Sequence, residues 1–118
     1  NWTINMYVPK RNDIVWLDFE PTKGKEIGKY RPALILSHEI YNKTGLIICC
    51  PISTSIRGAI TEVPIEGLDS PSVVATTLIQ TLEWRERHIK FIKQAESRVY
   101  DEVLNRVILL LGGEYLLK

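Results

Sequence analysis

Cysteine is nearly absent: the 118 residues hold only Cys49 and Cys50, and they are neighbours. Adjacent side chains in a strand point to opposite faces, so this pair cannot jointly grip a metal ion, and it draws no disulfide framework. The two read as small strand hydrophobes in a reducing compartment. No run of about 18 apolar residues exists to span a bilayer. The first ten residues lack the apolar core of a signal peptide, so a cytoplasmic protein is expected, with residues 1–5 set aside as an extension outside the functional argument. Charge of one sign is not in excess either. Lys plus Arg number 15 against 14 Asp plus Glu, a net charge of +1, which gives no support to a nucleic-acid partner from net charge alone. Internal repeats and low-complexity tracts are missing, which removes solenoids and disordered tails.

What is present fits one ordinary folded domain over residues 1–118. Hydrophobic residues make up 45% and charged residues 25%, both near globular averages. Basic charge is clustered locally. Lys23, Lys25, Lys29 and Arg31 stand against the single acid Glu26, and Arg85, Arg87, Lys90 and Lys93 against the single acid Glu86. These two stretches are the candidate surfaces for a polyanion.

The apolar pattern predicts about five strands and one helix. Asp13–Phe19 is rich in β-branched and aromatic residues, and Pro21 and Gly24 break it. A polar stretch of about ten residues follows, of the kind that carries function in small domains. Pro32–Ser37 then restarts an apolar run. Leu46–Ile52 is a buried-strand pattern in which Pro51 must mark an edge, a bulge or the strand's end. Ile60–Ile65 alternates weakly, and Ser72–Trp84 reads as one long β-branched stretch. From Val99 the period changes to helical: Val99, Val103, Val107 and Leu110 form a stripe with Leu104, Ile108 and Leu111, with Ser97 as N-cap and Gly112 as stop. Strands followed by one terminal helix give a mostly-β, α+β domain. Trp16, mid-strand, is expected in the core or at a dimer interface.

One ordered run carries more than periodicity. It comprises Asp18-Phe19-Glu20-Pro21-Thr22-Lys23-Gly24-Lys25-Glu26, then Gly28, then Arg31-Pro32-Ala33-Leu34-Ile35-Leu36-Ser37. Together with Tyr7-Val8-Pro9, Tyr41-Asn42-Lys43-Thr44-Gly45 and Trp84-Arg85-Glu86-Arg87, it resembles the MazF/PemK/Kid toxins of type II toxin–antitoxin systems, from about Met6 to Gly112. The resemblance implies a small SH3-like β-barrel with a C-terminal helix, a homodimer, and a cognate antitoxin whose acidic tail covers a basic groove. It implies no cofactor and no metal. The implied activity is sequence-selective cleavage of single-stranded RNA, in which the ribose 2'-hydroxyl attacks the adjacent phosphate to leave a 2',3'-cyclic phosphate and a 5'-hydroxyl.

That chemistry asks for a proton acceptor, donors for the charge on the pentacoordinate phosphorus, and orientation. By resemblance Glu26 is the candidate base and Arg31 the phosphorane stabiliser. Ser53, where the family usually has threonine, orients the phosphate, with Thr54 as the fallback hydroxyl. Lys23, Lys25, Lys29, Thr54, Arg85 and Arg87 are the candidate RNA contacts. An Arg31–Glu26 ion pair would depress the glutamate's basicity, so the mechanism works better with Arg31 facing the phosphate. His38 and His88 match no family catalytic position and are expected in surface or structural roles. Many relatives carry an Asp-Gln pair where this chain has Thr77-Leu78, which places more weight on Glu26. Two rival readings share the fold: a non-enzymatic, CcdB-like toxin, and an inactive RNA-binding module.

Overall fold

A computed structural model describes residues 7–21, 24 and 27–117. Among them the chain forms seven strands: β1 (Asp13–Asp18), β2 (Tyr30–Ile35), β3 (Leu46–Ser53), β4 (Glu62–Ile65), β5 (Ser72–Ala75), β6 (Gln80–Glu83) and β7 (Lys90–Gln94). Two α-helices, α1 (Glu39–Asn42) and α2 (Ser97–Leu110), complete it. The order across the sheet is β4-β5-β3-β2-β1-β7, with β6 paired to the first half of β3. Every pairing is antiparallel. The sheet curls into a half-barrel against the C-terminal helix, the mostly-β architecture expected.

Two strands depart from the predicted five. The Ser72–Trp84 stretch is not continuous: Thr76 is fully buried and donates from its hydroxyl to the Thr61 carbonyl at 2.6 Å. That bond turns the chain through a 3-10 turn, Thr76–Leu78, and splits the run into β5 and β6. β7 escapes the pattern because Lys90–Gln94 is an edge strand with no fully buried residue; lysines on an edge strand discourage pairing with another chain.

The period of two sorts side chains into two apolar cores, one on each face of the sheet. Ile14, Leu34, Cys50, Ile52 and Val74 pack with Val99, Val103 and Val107 of α2. Val15, Leu17, Phe19, Ala33, Ile35, Ile47 and Cys49 pack with Trp84. Burying each of the three helix valines contributes roughly 1.5–3 kcal/mol, so α2 is held by its inner stripe. The outer end of the predicted stripe is not core: Leu110 is 49% and Leu111 79% exposed. Glu96, not Ser97, occupies the N-cap position and supplies no side-chain cap bond. Gly112 ends the helix as expected, at φ +71° with its N–H on the Leu109 carbonyl.

At the opposite edge Asn42, fully buried, ties three segments together. Its amide donates to the carbonyls of Pro9 (2.8 Å) and Ser37 (3.0 Å), and its side-chain oxygen accepts from the Ser37 hydroxyl. The Trp84 indole N–H donates to its backbone carbonyl at 2.8 Å. This lock fixes the start of β3.

Candidate functional site

β2 and β3 part company halfway along. They pair at Ile35↔Cys49, Leu34↔Cys50 and Ala33↔Pro51 and no further. Beyond that point β2 stays with β1 as far as Asp18↔Tyr30, while β3 swings to β5 through Ile52↔Val74 and Ser53↔Val73. Pro32 and Pro51 flank the parting, and neither has an N–H to extend the ladder. Arg31 and Ser53 are each two residues past the last pair, Ala33↔Pro51, one on the strand that stays with β1 and the other on the strand that goes to β5. Both side chains lie on the Cys49 face of the sheet, by alternation from Ala33 and Pro51.

Arg31 is braced within its own segment, its Nε donating to the Gly28 carbonyl at 2.7 Å. No carboxylate among the described residues pairs with it. Burial lowers the guanidinium's pKa from its ordinary value, because desolvation penalises the charged form. Ser53 Oγ accepts from the Ser55 N–H at 3.0 Å, which leaves its proton available to a ligand oxygen.

Ser53 also opens onto a cleft of about 450 Å³ lined by Ile27, Ser55, Arg57, Thr61, Glu62 and Thr77. Ile27 is the residue of the β1–β2 connection described at this cleft. Thr77 brings no carboxylate, but Glu62 does. Neither Arg57 nor Glu62 stood out in the sequence; the only signal was a basic residue beside Gly58 after the Ser53-Thr54-Ser55 cluster.

Other predicted residues divide sharply. Glu26, Lys23 and Lys25 lie outside the described residues. Lys29 is exposed at φ +71° and pins the neck of the loop: its carbonyl accepts from Phe19 N–H at 3.0 Å and its N–H donates to the Glu20 carboxylate at 2.8 Å. Thr54 lines a different groove, with Trp16, Pro32 and Leu68. Trp16 is half-buried and stacks on Tyr30 with ring centroids 5.4 Å apart; it is groove wall rather than core. Arg85 is far from the site, donating to the Lys43 carbonyl at 2.7 Å and lying over Trp84, beside the opposite end of β3. Arg87 is a strut: its Nη1 donates to the carbonyls of Asp18 and Glu20, both at 3.0 Å, and so shapes the root of the loop. His38 caps α1 and His88 is exposed near Asp18, structural places as expected.

Cys49 and Cys50 point into opposite cores, both as free thiols. Burial raises both pKa values, that of Cys50 to about 12. Among the described residues no group of three or more His, Cys, Asp or Glu is placed to hold a metal ion. No helix among them is long and apolar enough to cross a membrane.

Comparison with known proteins gives concordant matches. The profile of PemK-like, MazF-like toxins of type II toxin–antitoxin systems matches residues 10–111. The endoribonuclease toxin MazF of Escherichia coli (strain K12) is 39% identical over 85 residues, 71% of this chain and 77% of that protein. The endoribonuclease toxin ChpB of the same strain is 34% identical over 104 residues, 83% of this chain and 90% of that one. Among solved structures, MazF from Deinococcus radiodurans superposes with a TM-score of 0.87 at 38% identity, covering 91% of this chain and 99% of that one. A chain of the MazE–MazF complex from the same organism gives 0.79 at 35% identity, covering 91% and 98%.

Proposed function

Because the chain belongs to the PemK-like, MazF-like toxin family of type II toxin–antitoxin systems, we propose that it is an endoribonuclease that cuts single-stranded RNA by 2'-hydroxyl attack, without a metal. The observation that carries this reading is Arg31, partly desolvated and with no carboxylate partner among the described residues, on β2 where β3 and its Ser53 turn away. A cation in that condition complements the charge that builds on a pentacoordinate phosphorus. Arginine's high pKa suits it to stabilising charge rather than to giving up a proton.

In this scheme the scissile phosphate sits in the gap. Arg31 binds its non-bridging oxygens, and the Ser53 hydroxyl donates to one of them. Glu26 accepts the 2'-OH proton as the 2'-oxygen bonds to phosphorus. The P–O5' bond breaks, and the departing 5'-oxygen takes a proton to become a hydroxyl. DNA lacks the nucleophile and is spared.

The chain acts as one domain in the cytoplasm, where its substrate is. A second copy covers the apolar surface around Ile60, Leu109 and Leu110, which are 87%, 62% and 49% exposed, giving a homodimer. The MazE–MazF structures support a cognate antitoxin as the other partner, and its acidic tail would neutralise Arg31 and the basic loop.

Incubation of the full chain with a long RNA in EDTA tests the reading. Discrete fragments with 2',3'-cyclic phosphate and 5'-hydroxyl ends are expected. RNA left intact, or cut only after a divalent metal is added, defeats it.

A further inference from the structure

The segment between β3 and β4 has no regular structure, yet it is tied down at both ends. Glu62 accepts from the backbone N–H of Arg57 with both carboxylate oxygens, at 3.2 Å each, and from that of Gly58 at 3.0 Å. Gly58 sits at φ +75°, and a Cβ there would meet nothing within 4 Å, so glycine is required by conformation and not by space. From the other side, Arg106 of α2 donates from Nε to the Ile60 carbonyl at 3.2 Å.

Held this way, the loop presents alternate side chains to different surroundings. Ser55, Arg57, Ala59 and Thr61 line the cleft that Ser53 and Thr77 share. Ile60 lines a hollow with Leu109 and Leu110 of α2 instead. Arg57 is therefore the one arginine lining that cleft. Its neighbour Glu62 is occupied with backbone N–H groups, and no ion pair to Arg57 forms among the described residues. A guanidinium with no carboxylate partner among the described residues, in a cleft that Ser53 also lines, has the chemistry to receive a phosphate.

We infer that Arg57 is a substrate-binding residue that grips a backbone phosphate of the RNA beside the cut bond, and that Glu62 is the positioning residue that aims it. The inference rests on the endoribonuclease reading and extends it along the strand. A phosphate contact adds affinity for every sequence and leaves the reacting bond alone. Arg57→Ala therefore raises KM and the dissociation constant and spares kcat. Glu62→Gln turns an amide N–H toward backbone donors, loosens the loop and reproduces the Arg57→Ala effect through Arg57.

The test uses the full chain in two assays: cleavage kinetics on an RNA oligonucleotide, and anisotropy with the 2'-O-methyl version, whose nucleophile is blocked. For Arg57→Ala, binding weakens roughly tenfold, the slope of log affinity against log salt becomes shallower by about 0.7, and kcat stays within about threefold. Arg57→Lys keeps the slope. Glu62→Gln alone mimics Arg57→Ala, and adds nothing in the Arg57→Ala background. An unchanged salt slope in Arg57→Ala overturns the phosphate contact, and an additive double variant overturns the role of Glu62. A chain that binds the RNA but cuts none defeats the endoribonuclease reading alone, because the salt slope still judges Arg57. A chain that binds no RNA defeats both.

Discussion

Replacing Arg31 separates transition-state binding from folding. Its Nε is engaged by the Gly28 carbonyl at 2.7 Å, which leaves the two Nη groups for the phosphate. Two charge-assisted hydrogen bonds at roughly 1.5–3 kcal/mol each amount to about 3–6 kcal/mol at the transition state. Each 1.36 kcal/mol is a factor of ten, so Arg31→Ala is expected to lower kcat by roughly a hundredfold to about twenty-thousandfold. Stability moves little: the variant loses one hydrogen bond of about 1 kcal/mol and is relieved of a partly desolvated cation. Its Tm should stay within about 5 °C of the unmutated chain. Arg31→Lys keeps the charge but loses the fork and the Gly28 bond, so its rate falls between the other two. The assay is the initial rate on a fluorogenic RNA oligonucleotide at saturating concentration, paired with thermal melting. A kcat for Arg31→Ala within tenfold of the unmutated chain refutes the reasoning, as does a rate loss that tracks a fall in Tm.

Asn42→Ala strands the carbonyls of Pro9 and Ser37 and the Ser37 hydroxyl; it should cost about 3–4 kcal/mol in denaturant unfolding, with kcat retained well below the new Tm. Arg85→Ala removes a surface bond to the Lys43 carbonyl and should leave cleavage rate and RNA affinity unchanged within about twofold. The thiols predict a pH dependence. The Cys50 pKa is about 12 in the folded chain, above its ordinary value of 9.0, and that of Cys49 is also raised. The unfolded thiols therefore ionise first, and their contribution to stability is complete below pH of about 9 and declines as pH rises toward the folded values. Thermal melts at pH of about 8 and 10 should show a smaller fall in Cys49→Ala/Cys50→Ala than in the unmutated chain, and a thiol reagent should label the native chain only after unfolding.

The fold was readable wherever burial imposes a period. β1, β2, β3 and the inner stripe of α2 follow from alternation and from Val99, Val103 and Val107. What escaped is set by single tertiary bonds: Thr76 breaks a β-branched run because its hydroxyl finds the Thr61 carbonyl, and β7 has too little buried surface to show a pattern. The site divides along the same line. Arg31 was legible through the ordered run around it and Ser53 through the family position it matches, yet their placement depends on where β2 and β3 separate, which Pro51 signalled only as an interruption. Arg85 and Arg87 looked alike in sequence and are not, because one lies on Trp84 and the other reaches the carbonyls of Asp18 and Glu20. Arg57 was invisible because its placement depends on Glu62, five residues away, closing the loop on itself.

The neighbouring cysteines have a consequence beyond chemistry. Cys49 and Cys50 face different cores, so β3 is a party wall with a full room on either side, and its far end, which leaves β2 for β5, carries Ser53. Arg31 stands on β2, which β1 steadies. A void opened in either room lets the wall lean and alters the span between hydroxyl and guanidinium, whereas a change that moves both strands together does not. Cleavage rate thus gauges the packing of both rooms, and substitutions buried far from the gap will be felt there in proportion to how unevenly they load the wall.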